Sequence, residues 1–352
     1  MDNTVRIARP IITIAGRDEP ELAQRLLSML IAEDTHGLYC CEAVFGNWGN
    51  KNKSIEFLYF DRSLLDFGKT MQVKLGTDVL FNGRIMGLEG QFPQGSPPAL
   101  TLLIEDRFQD LRMTRRTRTF GDVSDADVIK QIANEHGLSP SVDVHGPKYK
   151  VLAQVNQSDL AFLRERARAI DAEVWMEGST LHAQPRTNRA HGALKMSYGK
   201  DLREFSVLAD LAMQRTGVTV NGWDVTSKSG LQHEATDSII NGELNGGLSG
   251  ASVLSSALGQ RKESLVHTAP LTGQEAQAIA EAYFKLSARR FVTGHGIAET
   301  TSQLRVGNTI DLDGLGPLFN GKYYVSEVKH LFDGANGIRS EFTAERPGLG
   351  RP

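Results

Sequence analysis

The sequence predicts a mainly β fold with α+β insertions: two similar small antiparallel β-barrel domains, an α+β module and a helical and loop insertion. Three observations predict it. Short, partly alternating apolar runs separated by Gly, Pro, Asn and Asp fill the beginning of the chain and return near its end. Between them, two stretches change to helical spacing with cap residues at their starts. One paragraph of text also occurs twice: "FGKTMQVKLGTDVLFNGRIMGLEGQFPQGSPPALTLLIEDR" begins at Phe67, and "RVGNTIDLDGLGPLFNGKYYVSEVKHLFDGANGIRSEFTAER" begins at Arg305.

At 352 residues the chain exceeds what one hydrophobic core usually serves, so several domains are expected. With 40% hydrophobic and 23% charged residues, it is no candidate for wholesale disorder. A net charge of -3 gives no global electrostatic reason for nucleic acid or an anionic membrane as partner. The two cysteines, Cys40 and Cys41, are adjacent. A vicinal disulfide is strained, so both are read as buried or half-buried thiols on opposite faces of a strand, formed in a reducing cytoplasm. "MDNTVRIARPIITIAG" lacks a basic region followed by a long apolar stretch, so no signal peptide is expected. No run is long enough to span a bilayer as a helix.

Residues 1–107 read as the first β-barrel. "ARPIITIAG", "GLYCCEAVFGN", "SIEFLYF", "TMQVKLG", "VLFNGRIMGLEGQF" and "ALTLLIED" are its strands, and "DEPELAQRLLSMLIAED" is open between helix and strand. Residues 108–186 read as an α+β module. One helix starts at Ser124, carries Val128, Ile129, Ile132 and Ala133 as its apolar stripe, and stops at Gly137. A second starts at Ser158 with Leu160, Leu163, Ala167 and Ile170 on one face. "AEVWM", a Gly178-Ser179 turn and "TLHAQ" then form a hairpin. Residues 187–226 and 291–348 read as the second barrel. Residues 227–290 read as an insertion, Gly/Ser-rich surface loop first and then a helix with a Thr272/Glu275 capping box.

The repeat is weighed by register. Phe-Asn-Gly alone (Phe81–Gly83, Phe319–Gly321) is a chance match in a chain this long, but the intervals from Gly68 to Gly83 and from Gly307 to Gly321 are nearly equal, as are those onward to Arg107 and Arg346. Either two meanders share convergent turns, or one small barrel was duplicated. In the second case a trimer displays six similar modules around its axis while remaining threefold elsewhere, which adapts a sixfold object to a threefold one. Open barrel edges then offer strands for pairing across subunits.

Three stretches, "RTRTFGDVSDADVIKQIANEHGLS", "NQSDLAFLRERARAIDAEVWMEGSTLHAQP" and "LRVGNTIDLDGLGPLFNGKYYVSEVKHLFDGANGIRSEFTAER", resemble the phage late control gene D family of baseplate hub proteins. That family is related to the N-terminal hub region of VgrG spike proteins. The resemblance runs in order from about Pro10 to Arg346, with Asn308 where the family pattern has Asp. It implies a homotrimeric structural adaptor joining the sixfold tail tube to the threefold central spike of a contractile tail or injection system. The implied partners are a separate trimeric spike protein, a hexameric tail-tube or tube-initiator protein and other baseplate proteins. VgrG chains continue into an OB-fold and a β-helix needle, whereas this sequence ends at "RPGLGRP", so a separate spike and no direct membrane insertion are expected. Assembly in the bacterial cytoplasm and a final place in the baseplate of a particle are implied with it.

Chemistry is scarce. The nine histidines show no metal-ligand spacing, and neither a phosphate loop nor a Gly-x-Ser-x-Gly elbow occurs. Asp311 and Asp313 imitate a glycosidase dyad but read as solvated strand carboxylates. His330 reads as a hydrogen-bonded structural histidine. No catalytic residue, cofactor or metal is assigned, and the chain is read as no enzyme. The one candidate site is the interface cluster Arg112, Arg115, Arg116 and Arg118, suited to carboxylates of a neighbouring subunit or to a lumen, with a solvated face as the alternative. The rival functions are a tail-associated peptidoglycan hydrolase and, using this cluster, a nucleic-acid-binding protein.

Overall fold

The computed structural model describes residues 9–51, 53–189, 192–224, 227–266 and 270–351. Residues 1–8 of the stretch read for a signal peptide, and His191 and His267, lie outside the described residues.

The first barrel is built from β1 (Ile11–Ile14), β2 (Leu26–Asp34), β3 (Cys40–Gly46), β4 (Thr70–Leu75), β5 (Asp78–Gln91) and β6 (Ala99–Glu105). Its neighbours run β1-β4-β5-β6-β3-β2. Alternation sends Ile31, Phe45, Met71, Ile85, Leu102 and Ile104 into one core while Leu103 points out. The ambiguous stretch before β2 is both things in turn: a short helix, Pro20–Gln24, opened by proline in its first turn, and then strand. Cys41 is buried but Cys40 is exposed, so the expectation of two buried or half-buried thiols fails for Cys40. It sits on the outer face of β3, where successive side chains alternate.

The α+β module contains β7 (Arg115–Ser124), α1 (Asp125–Glu135), β8 (Lys148–Ser158), α2 (Asp159–Ala169), β9 (Ala172–Glu177) and β10 (Thr180–Pro185). Ser124 and Asp127 close a reciprocal capping box at the start of α1. Gly137, at φ +63°, ends the helix in a Schellman motif: Leu138 donates to the Ala133 carbonyl and Gly137 to that of Asn134. Ser158 caps α2 by accepting from the Ala161 N–H at 3.2 Å. The two helices bury Val128, Ile129, Ile132, Leu160 and Leu163 against the β9·β10 hairpin side of the module.

The second barrel starts with β11 (Ala193–Ser197) and β12 (Leu202–Ala209). An insertion follows: β13 (Gly217–Asp224), β14 (Ser229–Ala235), α3 (Gly250–Leu258), β15 (Lys262–Leu265) and α4 (Gly273–Ala288). The barrel then resumes with β16 (Val292–Glu299), β17 (Thr309–Asp313), β18 (Gly321–Asp333) and β19 (Gly337–Arg346). Two sequence readings change here. β13 leaves the barrel and pairs with β14 and β15. The Gly/Ser-rich stretch is not a plain surface loop, because it closes a core of its own around Val218, Val220, Ile240, Ala276, Ala280 and Phe284.

The second barrel repeats the first strand for strand, in the order β11-β17-β18-β19-β16-β12. The register agrees as well. Gly68 donates to the Ile85 carbonyl at 2.8 Å and Gly307 to that of Val325 at 3.0 Å. Thr70 faces Arg84 as Thr309 faces Tyr324, and Arg84 faces Glu105 as Tyr324 faces Glu345. Both long strands carry a bulge at the next step, between Ile85 and Gly87 and between Val325 and Glu327. β2 and β12 likewise shift register after their first residue, Leu26 and Leu202. The copies differ at their first strand: β1 runs antiparallel to β4, whereas β11 runs parallel to β17.

The shared Phe-Asn-Gly is not part of this equivalence. Met71 faces Gly83 and Ile310 faces Tyr323, so Gly83 corresponds to Tyr323 rather than to Gly321. The two glycines are there for different reasons. A Cβ on Gly83 would lie 2.5 Å from the Glu105 carbonyl oxygen, and Gly321 sits at φ +123°. The two barrels share strand order and register, and the tripeptide is no part of that agreement.

The two barrels are joined within the chain. The outer half of β18 pairs antiparallel with β2, from Glu327 opposite Asp34 to Asp333 opposite Ser28, which merges both into one 13-stranded sheet.

Candidate assembly site

Two aspects of the fold bear on assembly: what locks its parts together and what it leaves open. Four arginines supply the lock. Arg189, 2% exposed, holds Glu173 at 2.8 Å, bonds the Tyr39 hydroxyl and lies over the Trp175 ring at 4.3 Å. Arg186 pairs with Glu345 and covers the Tyr324 ring at 3.8 Å, while the Tyr324 hydroxyl donates to Glu173 at 2.5 Å. Arg289 grips Asp171 of the module and Glu243 of the insertion. Arg305 pairs with the buried Glu33 on β2. Each cluster joins segments far apart in sequence, so the two barrels, the module and the insertion are tied by charge-assisted bonds under cover from water.

Burial sets the chemistry of the groups around this lock. It pushes the Tyr39 phenol up despite the Arg189 guanidinium. It lifts the Asp106 carboxyl to about 7 against two N–H donors, Tyr39 and Phe108, both at 2.9 Å. It lowers the His330 imidazole to about 4, with the Ser340 hydroxyl 2.8 Å from Nδ1. His330 is thus a buried, hydrogen-bonded strand residue.

The arginine cluster of the sequence divides. Arg116 and Arg118 both reach Asp159, which is 1% exposed and also bonded to His136 at 2.8 Å and to Gln154 at 2.9 Å. Burial opposes the charged form, but those bonds hold the Asp159 pKa below the usual carboxylate value. Arg118 further binds Glu135 at 2.6 Å and lies over Phe120. Arg112 pairs with Glu105. Arg115 makes one long bond to the Asn156 carbonyl, 3.3 Å, and is exposed. Three of the four therefore pair with carboxylates of the same chain, and among the described residues Arg115 is the one without such a pair. Sequence reasoning missed Arg186, Arg189, Arg289 and Arg305; their partners are distant in the text and no local pattern marks them.

Among the strand edges that stand open in the described residues, two are the counterparts of the sealed β2·β18 junction. β12 pairs only with β16. The outer half of β5, beyond Ile85, pairs only with β6. Beside the β5 edge lies a partly exposed aromatic group: Trp48 meets Phe57 edge-on at 5.0 Å, Phe57 stacks on Phe60 at 4.9 Å, and Phe92, 64% exposed, contacts both phenylalanines. A concavity of about 590 Å³ crosses β12, β16, β19 and β18; Glu204, His295, Glu327, Lys329, Glu341 and Thr343 line it. Glu327 and Lys329 already pair there at 2.7 Å. Asp311 and Asp313 lie on one face of β17, and Asp313 accepts from the Gly314 N–H and the Asn320 amide, a turn role. Among the described residues no group of three or more His, Cys, Asp or Glu is placed to hold a metal ion, and no helix is long and apolar enough to cross a membrane.

The fold is shared with tail proteins. The prophage MuSo2 43 kDa tail protein from Shewanella oneidensis superposes with a TM-score of 0.70 at 10% identity, over 96% of this chain and 98% of that one. A tail protein from Neisseria meningitidis MC58 gives 0.66 at 12% identity, over 97% of each chain. The E. coli c3393 protein, described as a type VI secretion component similar to the T4 tail proteins gp27 and gp5, gives 0.56 at 12% identity, over 93% of this chain and 76% of that one. No curated protein matches the sequence. A family model does, over residues 47–333; it is described as the Alg8 N-terminal domain, and it is not the late control gene D family that the sequence resembles.

Proposed function

The chain belongs to the Alg8 N-terminal domain family, and from its doubled barrel and the fold it shares with tail proteins we propose that it is a structural baseplate hub of a contractile tail or injection system. In this reading it is a homotrimer that adapts a sixfold tail tube to a threefold central spike, with the spike, the tube and other baseplate proteins as separate partners. It works as a non-enzymatic part, assembled in a bacterial cytoplasm and carried into the particle.

The observation that carries the reading is the agreement of the two barrels in strand order, register and bulge position. Three copies of such a chain present six nearly equivalent surfaces to one neighbour and three to another. The buried arginine clusters support it, since a part that transmits contraction must move as one body. In the same reading the chain divides into a first barrel, the α+β module, and a second barrel interrupted by the insertion, with exposed Arg115 remaining as the arginine offered to a neighbour.

Mass measurement of the full chain, alone and bound to its spike partner, tests this: three copies are expected, and a dimer, tetramer or hexamer of the free ring contradicts it. Clearing of peptidoglycan by the purified chain would move the assignment to a hydrolase. Salt-sensitive duplex binding lost in Arg115→Ala would move it to nucleic acid.

A further inference from the structure

The duplication predicts how one copy meets the next, down to the residue. Within the chain, the outer half of β18 is sealed by β2. β5 is the equivalent of β18, and β12 is the equivalent of β2, by shared neighbours and shared bulges. Yet among the described residues the outer half of β5 and the strand β12 have no second partner. Each chain therefore carries one closed junction and the two halves of an identical open one.

We propose that β12 of one copy pairs antiparallel with the outer half of β5 of the next, in the register of the closed junction. Carried across the equivalence, that register sets Leu88 opposite Ala209, Glu89 opposite Leu208, Gly90 opposite Val207, Gln91 opposite Ser206 and Phe92 opposite Phe205. The proposal rests on the ring reading above and names its contact. The occupant of each edge is a second copy of this chain, because the chain's own β2·β18 pairing is a template for sealing such an edge.

Burial supports it. In the closed junction Val328, His330 and Phe332 are 0–1% exposed and meet Glu33, Ile31 and Met29, at 0–3%. Their counterparts at the open edges are unfinished. Phe92, the counterpart of Phe332, is 64% exposed, Gly90 is exposed, and Leu88, Phe205, Val207 and Ala209 are half-buried. The inward set pairs apolar with apolar, and the outward pairs include Gln91 with Ser206. No proline interrupts either edge between Ile85 and Gln91 or between Leu202 and Ala209, and among the described residues no further strand pairs with either. The Trp48, Phe57 and Phe60 rings beside Phe92 extend the apolar patch. A head-to-tail contact of this kind closes into a ring in which intrachain and interchain junctions alternate, six in a trimer.

The test is disulfide trapping in the full chain, with Cys40→Ser removing the exposed native thiol. Glu89→Cys with Leu208→Cys places two thiols opposite each other across the proposed ladder, within reach of a disulfide. Glu89→Cys with Val207→Cys is the control shifted by one residue, which faces them to opposite sides. Glu89 and Leu208 are exposed, and unchanged circular dichroism of each variant confirms the fold. The in-register pair should give covalent dimers and trimers at least tenfold more efficiently than the shifted pair, with nothing larger. A trimer by mass that fails to cross-link in register, or cross-links better in the shifted pair, overturns the proposal and leaves the threefold reading standing. A monomer, or any other stoichiometry, at concentrations up to the millimolar range overturns both.

Discussion

The equivalence of Phe332 and Phe92 makes a sharp prediction, since one chemistry sits in two states of closure. Phe332 is 1% exposed between β18 and β2, in the core that includes Met29 and Phe45. Phe332→Ala removes a fully buried ring and leaves a cavity at the seam of the barrels, at a cost of about 3–5 kcal/mol. Phe92 holds the same position in the other copy but keeps only about a third of its surface covered, so Phe92→Ala costs the isolated chain about 1 kcal/mol or less. The order reverses for association: Phe92→Ala weakens the contact between copies, whereas Phe332→Ala acts within one chain. Denaturant unfolding at dilution measures the first effect, and sedimentation at higher concentration measures the second. Equal destabilisation by the two variants, or association indifferent to Phe92→Ala, would refute the reasoning from duplication to assembly.

Other expectations follow from the lock and from backbone geometry. Arg189→Met strands Glu173 in a site where its side chain is 11% exposed, and should cost about 3–5 kcal/mol; adding Glu173→Gln should recover much of it in denaturant titrations. His330, held at about 4, is a base with a depressed folded pKa, so its stability is present above about 6.5 and lost as pH falls toward 4. Asp106, raised to about 7, has the opposite sign: its stability is complete below about 4 and is lost as pH rises toward 7. Unfolding between pH 4 and 7 should therefore show Asp106→Asn losing stability toward acid faster than wild type and His330→Leu losing it more slowly; identical slopes would contradict both. Gly307→Ala should be more damaging than Gly68→Ala in thermal unfolding. Both sit at positive φ, but only at Gly307 would a Cβ collide, at 2.7 Å from the Arg189 side chain.

Local signals in the sequence carried well. Ser124, Ser158 and Thr272 begin helices as cap chemistry requires, because a cap bonds within a few residues of itself. The doubled meander was legible through Gly68 and Gly307, whose N–H bonds fix the same register in both copies. Phe-Asn-Gly misled by two positions, a shift that preserves strand faces and so leaves the alternation looking right. The insertion was unreadable as a packed unit because its core relies on Ala235, Ala251, Ala276, Ala280 and Ala288, small residues that make a faint periodic signal. Arg112, Arg116 and Arg118 stood out as a charge run, yet their carboxylates lie within the chain: Glu105 just before Arg112, and Glu135 and Asp159 on later segments the text does not link to Arg116 and Arg118. The arginines that lock the parts together look like ordinary surface residues until the fold brings their partners near.

The most direct measurement is the symmetry of the assembly that the full chain forms, by imaging it alone and with the proposed spike protein. The account predicts three chains and six barrels, with intrachain β2·β18 seams alternating with interchain β12·β5 seams around one continuous wall. A ring of any other chain number, or one whose barrels touch through surfaces other than these edges, would contradict it.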